Sequence, residues 1–458
     1  MMVPLALLAG CLVGPNYKRP AVSIPPDYRS PAPAQTASAS SLGNEKWWQV
    51  YQDPVLVQLI HTALAQNYDA RIAATRVLEA QAQVGITRAN QFPSAAIGAD
   101  IFSQRNPKIS NAVPAYQVGA GELDLSVIWN LDFWGKYRRE TEQARAQLLA
   151  TEWGQRAVIS SLVANVAAAY FQLRALDSEL EIANRTLASR QQSLQLTQVL
   201  ASHGSASGLD VSQAEQLVYT ASETIPDLER QIQQQENLLS ILLGENPGPI
   251  PRGRQLTEQP VPQSVPAGLP SELLTRRPDV RQAEATMMTA NAQIGVAKAS
   301  IFPSFSLTGT GGQESNALNR LLHEPSQTWY AAFGVTQPVF EGGALRAGIR
   351  FTQAQWQEAV LSYRQNVQNA LAQVSNALIS YQKDRQFREQ QDLLTQAAQQ
   401  SDQLSQVLYR HGGASYLQVL TSETNYFAAQ LNLVQAHLNE RLALVQLYQA
   451  LGGGWQEK

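Results

Sequence analysis

Glu122-Leu123-Asp124-Leu125-Ser126-Val127 alternates polar and apolar side chains over six residues. A period of two is that of a β-strand with one wet face and one apolar face. The pattern recurs in Phe305-Ser306-Leu307-Thr308, and again where Trp329, Ala331, Phe333 and Val335 are set against Tyr330, Gly334 and Thr336. Each stretch follows a Phe-Pro-Ser break and precedes a very long run with helical character, so the strands are islands in a mostly helical chain.

The recurrence belongs to a larger duplication. Shifted by 210 positions, the sequence matches itself at Arg71/Arg281, Ala80/Ala290, Gln83/Gln293, Gly85/Gly295 and Phe92-Pro93-Ser94/Phe302-Pro303-Ser304. Shifted by 208, it matches at Gln198-Val199-Leu200/Gln406-Val407-Leu408, His203-Gly204/His411-Gly412, Glu215/Glu423 and Leu243-Gly244/Leu451-Gly452. A period this long lies outside the range of short-repeat solenoids and duplicates a whole structural unit. Each copy therefore contributes one β-hairpin and one set of helices.

No proline occurs from Tyr137 to Ser202 and no glycine from Gln155 to His203, so nothing stops a helix before Gly204. Such a helix would be roughly 100 Å long at 1.5 Å per residue. Leu162, Val166, Ala169, Leu173, Leu176, Leu180, Ala183 and Leu187 follow spacings of four and three, the seam of a coiled coil. Gly204 suits the position just past a helix, and Ser205 or Ser207 can cap the next one, so 203–209 reads as a tight helical tip. His411 to Tyr416 is its counterpart.

Composition narrows the function. Of 458 residues only 16% are charged, against roughly 25% in ordinary soluble proteins. The net charge of −3, with no Lys/Arg-rich run, leaves nucleic acid without an electrostatic footprint. The most apolar stretch, Val158 to Phe171, is interrupted by Ser160, Ser161 and Asn165 and falls short of a membrane-spanning helix. One cysteine excludes a disulfide framework. No nucleophile-base-acid set or phosphate-binding glycine motif stands out, so the expectation is a non-enzyme without cofactor or metal.

Two hairpins make four strands whose outer edges lack partners and whose apolar face is exposed. Two chains would give eight strands, a barrel filled by side chains, whereas three would give twelve and leave a lumen. Three is the smallest open solution, with Leu123, Leu125, Val127, Phe333 and Val335 toward lipid and Glu122, Asp124, Ser126, Thr308 and Thr336 toward water. A soluble sandwich shows the same alternation but would not need such long helices.

Leu8-Ala9-Gly10-Cys11 follows a short apolar run and resembles the bacterial lipobox, whose cysteine is lipidated after cleavage. The alternative is an ordinary buried thiol, since Met1 to Gly10 is short and carries no Lys or Arg. Leu12 after the cysteine favours the outer membrane. Pro15 to Ser41, rich in Pro, Ala and Ser, reads as an extended strap.

Over nearly its whole length the chain resembles the outer membrane factor family, the TolC-like and OprM-like channels, in its lipoprotein branch. The residues carrying the likeness are Trp47-Trp48, Asp53-Pro54, Leu59-Ile60 and Asn67, then Arg277-Pro278-Asp279-Val280-Arg281, Ala290-Asn291-Ala292 and Ile294-Gly295-Val296-Ala297. The resemblance implies an α+β membrane channel: a homotrimer in which long antiparallel α-helices form a coiled-coil barrel and each chain gives four strands to a twelve-stranded transmembrane β-barrel. It further implies a tripartite efflux system exporting drugs, toxic small molecules or solvents. The tips would meet a periplasmic adaptor protein, coupled to an inner-membrane pump of RND or related type. A duct for type I protein secretion is the alternative within channels, and a lipid-anchored coiled-coil scaffold without a pore is the alternative outside them.

The expected layout is a signal segment at 1–10, a lipidated strap at 11–45 and a first repeat at 46–247, with its hairpin about 92–131 and its tip about 203–209. A linker at 248–270 leads to a second repeat at 271–453, with its hairpin about 302–340 and its tip about 411–416, and a tail at 454–458.

By the resemblance, Asp210 and Tyr409 match an aspartate and a tyrosine that latch the closed aperture; alternatively Asp210 merely caps its helix. Ala414 stands where the family has a linking arginine, and Gln418 and Thr421 where it has an acidic ring, so cation selectivity there is not expected. Leu417 matches the apolar residue of the OprM-like constriction. Glu215 and Glu423 are repeat-equivalent and would ring a lumen in a trimer, or line a solvated helix face. Gly204-Ser205-Ala206-Ser207 and Gly412-Gly413-Ala414-Ser415 are the expected adaptor-docking tips, small enough for another backbone to approach.

Overall fold

The structure is a computed structural model that describes residues 12–29, 41–107, 116–262, 265–316, 318–323 and 326–456. Cys11 and the signal segment lie outside the described residues, as does part of the strap.

The duplication is visible element by element. In the first copy α1 (Trp47–Val50), α2 (Pro54–Gln66) and α3 (Tyr68–Ala89) lead to β1 (Ser94–Asn106), β2 (Tyr116–Leu131), α4 (Lys136–Ser202) and α5 (Gly208–Leu243). In the second, α6 (Leu273–Arg276) and α7 (Pro278–Ala299) lead to β3 (Ser304–Ser315), β4 (Gln327–Thr336), α8 (Ala344–Arg410) and α9 (Tyr416–Ala450). Helices α3 and α7 have 22 residues each, and α4 and α8 have 67 each. The equivalence reaches single hydrogen bonds: Ser94 Oγ donates to the Ile128 carbonyl and Ser304 Oγ to that of Thr336.

The two copies do not fold as two bodies. One compact unit holds residues 1–21, 76–152 and 282–364; the other holds 22–75, 153–281 and 365–458. Each unit thus takes segments from both copies.

The first unit carries one antiparallel sheet in the order β1-β2-β3-β4. Its register puts Ile97, Leu125, Gly311 and Trp329 in one row, with Trp129, Leu307 and Phe333 in another row of the same face. Ala96, Ser126, Thr310 and Tyr330 form a row of the other face, together with Gly98, Asp124, Gly312 and Thr328. The alternation first seen at 122–127 therefore extends across four strands, with Val118 and Ile128 the bulky aliphatics among the polar-face residues of β2. Ile97 is 78% exposed and Trp329 is 83% exposed. Ile101, Leu125, Trp129 and Phe333 on the same face are exposed too, while at its edge near the helices Phe133 packs edge-on against Phe305 with ring centres 4.8 Å apart.

The strap is held to this unit by a buried arginine. Arg139, 1% exposed, donates from Nε to the Val13 carbonyl and from Nη2 to the Gly14 carbonyl and Asn16 Oδ1. The backbones of Gly14, at φ +100°, and Gly295 approach so closely that a Cβ on Gly14 would sit 2.5 Å from the Gly295 Cα. Arg19 and Tyr17 then bond the Glu284 carboxylate.

In the second unit the expected seam of α4 is buried at Leu162, Val166, Ala169, Leu173, Leu176 and Ala183. Between 162 and 176, however, Val163, Ala164, Ala167, Tyr170, Phe171 and Ala175 are buried as well, so here α4 is covered over most of its circumference and not along one stripe, with Asn165, Ala168 and Gln172 on the side left accessible. One stretch of α4 is apolar enough on average to cross a membrane, and 56% of it is buried inside the protein. That apolarity serves packing. A polar hub fixes the start of α2: buried Asp53 caps the helix by accepting from Val55 N (2.9 Å), and also accepts from Tyr170 Oη (3.0 Å), Arg254 N (3.0 Å) and Gln259 Nε2 (2.6 Å).

Candidate functional site

Both tips are built by the same rule. Helix α4 ends in a Schellman motif: Gly204, at φ +77°, donates to the Ala201 carbonyl at 3.0 Å and Ser205 N to that of Leu200 at 2.8 Å. Helix α8 repeats it, with Gly412, at φ +75°, donating to Tyr409 and Gly413 N to Leu408 at the same two distances. A residue with a Cβ would be strained at both glycines, although open space surrounds them.

Helix α5 then starts on a capping box. Ser207 N and Oγ donate to Asp210 Oδ2 at 2.8 and 2.9 Å, while Asp210 N donates to Ser207 Oγ. In the second tip Ser415 N donates to Gln418 Oε1 at 3.3 Å. Ser205, Ser207, Gly413 and Ser415 are exposed, and Ala206 and Ala414 half-buried. His203 Nδ1 sits 2.8 Å from the Val199 carbonyl. Among the described residues no three His, Cys, Asp or Glu side chains converge on a point.

The expected latch is not made in this structure. The Asp210 carboxylate is engaged by its own cap, and no hydrogen bond joins it to Tyr409. The Tyr409 hydroxyl is buried without a partner of good geometry; Thr197 Oγ1 beside it already donates to the Ser193 carbonyl. Burial raises the Tyr409 pKa, the neighbouring Thr197 hydroxyl offsets it in part, and the Asp210 charge raises it further. Tyr409 instead belongs to an apolar cluster, where it and Leu194 pack against Ala214, Tyr416 and Val419.

Leu417 is 58% exposed, and Thr421, one turn on, is exposed with its hydroxyl donating back to the Leu417 carbonyl at 2.8 Å. Gln418 is spent on the cap.

The repeat-equivalent glutamates part company, which corrects their expected ring. Glu215 is half-buried, whereas Glu423 is 7% exposed and turned into the protein. Ser193 Oγ (3.1 Å) and Gln406 Nε2 (3.3 Å) donate to Glu423 Oε1, and those donors make its burial tolerable. Burial nonetheless holds its carboxyl above the usual range. Glu423 is therefore neither on a solvated face nor beside Glu215 in one ring.

The sequence reading missed Arg190, which faces Glu423, and the strap clasp at Arg139. Gly14 and Gly295 were the available signal for the clasp, since two glycines are what a close backbone approach needs.

The outer membrane efflux protein family matches residues 59–245 and again 269–453. The cation efflux system protein CusC of Escherichia coli is 34% identical over 454 residues, covering 98% of this chain and 97% of its own length. The toluene efflux pump outer membrane protein TtgC of Pseudomonas putida is 34% identical over 471 residues, covering 100% of this chain and 96% of its own. Among solved structures, the outer-membrane channel OprN superposes with a TM-score of 0.89 at 29% identity, over 98% of this chain and 100% of its own. The open state of the MtrE outer membrane channel of Neisseria gonorrhoeae superposes at 0.88 and 29%, over 97% and 99%. With both copies matched and the sheet, long helices and tips in the same order, the chain belongs to the outer membrane efflux protein family and is an outer-membrane efflux channel.

Proposed function

We propose that three copies close into one twelve-stranded barrel, β4 of each pairing with β1 of the next, and that the helices continue the barrel as a duct. The carrying observation is the sheet: β1 and β4 are its edges, and one face exposes Ile97, Ile101, Leu125, Trp129, Trp329 and Phe333. Each large side chain left in water forgoes about 1.5–3 kcal/mol relative to burial, a cost that lipid removes. Edge strands of 13 and 10 residues, without partners, invite pairing with another copy.

The two tips are the docking site for a periplasmic adaptor, which connects to an inner-membrane pump of RND or related type. Support comes from the exposed serines and the open space at Gly204, Gly208 and Gly412, which let another helical hairpin approach closely. Leu417 lines the aperture as an apolar constriction, with Gln418 and Thr421 beside it. Cys11 carries lipid that anchors the strap next to the barrel. The cargo is drugs, toxic small molecules or solvents, and the pump chooses among them; relatives of equal identity named for cation efflux and for toluene efflux fit that division of labour.

Expression in a strain lacking its own channel tests the reading. The wild type should restore drug resistance, and Ala206→Trp and Ala414→Trp should abolish it while leaving trimers in the membrane. Undiminished resistance in both variants would remove the tips from docking.

A further inference from the structure

Beneath the tips lies a cavity of about 180 Å³ whose lining includes Arg190 of α4, Asp402 of α8, and Glu423 and Phe427 of α9. Arg190 is 2% exposed. Its Nη1 donates to the Leu217 carbonyl of α5 at 2.9 Å and its guanidinium lies 5.0 Å from the centre of the Phe427 ring. Its Nε has no partner. Across the same cavity Glu423 Oε1 is satisfied by Ser193 and Gln406, and Oε2 has no partner. Arg190 and Glu423, both more than nine-tenths buried, thus face one small space together with Asp402, whose carboxylate accepts from Gln406 Nε2, and among the described residues no ion pair within 4 Å joins Arg190 to either carboxylate.

Such an arrangement is costly. Buried polar atoms are almost always bonded, and a buried charge lacking a partner is among the most expensive features a fold can keep. Frustration is concentrated here, since the buried hydroxyls of Tyr409 and Tyr416 are also without hydrogen bonds and belong to the adjoining cluster. The cavity gives the pair room to approach. Glu423 lies seven residues into α9, roughly 10 Å along the axis from its first residue Tyr416, which follows the second tip directly. A displacement of α9 that brings Glu423 to Arg190 therefore moves that tip relative to α4.

We propose that Arg190 and Glu423 are gating residues: they form an ion pair in a second arrangement of α9 against α4, and its making and breaking sets which arrangement the tips hold. The present structure is the unpaired arrangement, in which Leu217 and Phe427 hold the guanidinium while Ser193 and Gln406 hold the carboxylate. In the paired arrangement the cavity collapses and Nε and Oε2 satisfy each other. The role as a gate rests on the reading that the tips form the aperture; the pairing itself does not.

The test uses the full chain with spin labels on Ser205→Cys and His411→Cys, one on each tip. Two distance populations are expected. Arg190→Gln or Glu423→Gln should shift their ratio at least tenfold toward one of them, and the double variant should do no more than either single one. The charge swap Arg190→Glu with Glu423→Arg should restore the original ratio. Glu423→Gln is isosteric, and intact trimers on a native gel establish that it folds. An unchanged ratio in both single variants, or additive effects in the double one, would overturn the pairing. Distances that respond while single-channel conductance stays constant would leave the pairing standing and overturn the gate.

Discussion

Tyr409→Phe separates two opposed accounts of closure. If the phenol latched onto Asp210, each protomer would lose a charge-assisted bond worth roughly 1.5–3 kcal/mol, about 5–9 kcal/mol for three protomers, and the aperture would open. In the structure that bond is absent: Asp210 is held by the Ser207 cap, and the Tyr409 hydroxyl is buried without a bonded partner. Burying an unsatisfied hydroxyl costs about 1–3 kcal/mol, so removing it should stabilise the protomer by up to that amount and leave closure untouched. The ring stays, so its packing on Ala214, Tyr416 and Val419 is kept and no large cavity forms. Single-channel recording in planar bilayers, paired with thermal dissociation of the trimer, reads both quantities. The expected result is wild-type conductance with equal or higher melting temperature. Raised conductance, or destabilisation by more than about 1 kcal/mol, would show that the hydroxyl is bonded in the working state and refute the reasoning.

Tyr170→Phe should destabilise the helical unit by about 2–4 kcal/mol, because it strips a donor from buried Asp53 and the acceptor from Gly253 N, with thermal melting as the readout. Gly14→Val should release the strap, since its Cβ would strike Gly295 at a φ of +100°, and proteolysis within 12–29 should become rapid with the barrel intact. His437, its pKa pushed down to about 4 by burial and by Arg441 and Arg388, stays neutral in the fold while the unfolded chain protonates near 6.5. Stability should thus be level above pH 6.5 and fall by about 3 kcal/mol between pH 6.5 and 4, a loss that His437→Gln should abolish in pH-dependent melting. Leu125→Arg on the apolar face should lower the yield of inserted trimer, at about 2–4 kcal/mol, while Ser126→Arg on the other face should insert normally and change conductance instead.

The strands were legible because a period of two is a local property, complete within six residues at 122–127, and the register only had to extend it. The long helices and both tips were equally legible, since the run without Pro or Gly and the glycine ending it are adjacent in sequence. What a helix packs against was not. The seam on α4 pointed to one stripe, and between 162 and 176 the structure buries most of the helix circumference, leaving only Asn165, Ala168 and Gln172 on an accessible side. Glu215 and Glu423 occupy identical places in the repeat, yet only Glu423 is buried among Ser193, Gln406 and the cavity shared with Arg190. Duplication preserves the backbone plan, not the environment each copy meets. Asp53 stood out as part of a signature, but only its four hydrogen bonds explain why a carboxylate is needed there: it accepts four donors from three separate chain segments.

The central claim is that edge strands β1 and β4 meet those of other copies to enclose an aqueous pore. Introducing Phe333→Cys on β4 together with Ile101→Cys on β1 and oxidising the purified protein measures this directly, followed by conductance of the cross-linked species in a planar bilayer. The account predicts chains joined up to three and no further, in a product that still conducts ions. Cross-linking that stops at two chains, that continues past three, or that yields a ring of three without conductance would contradict it.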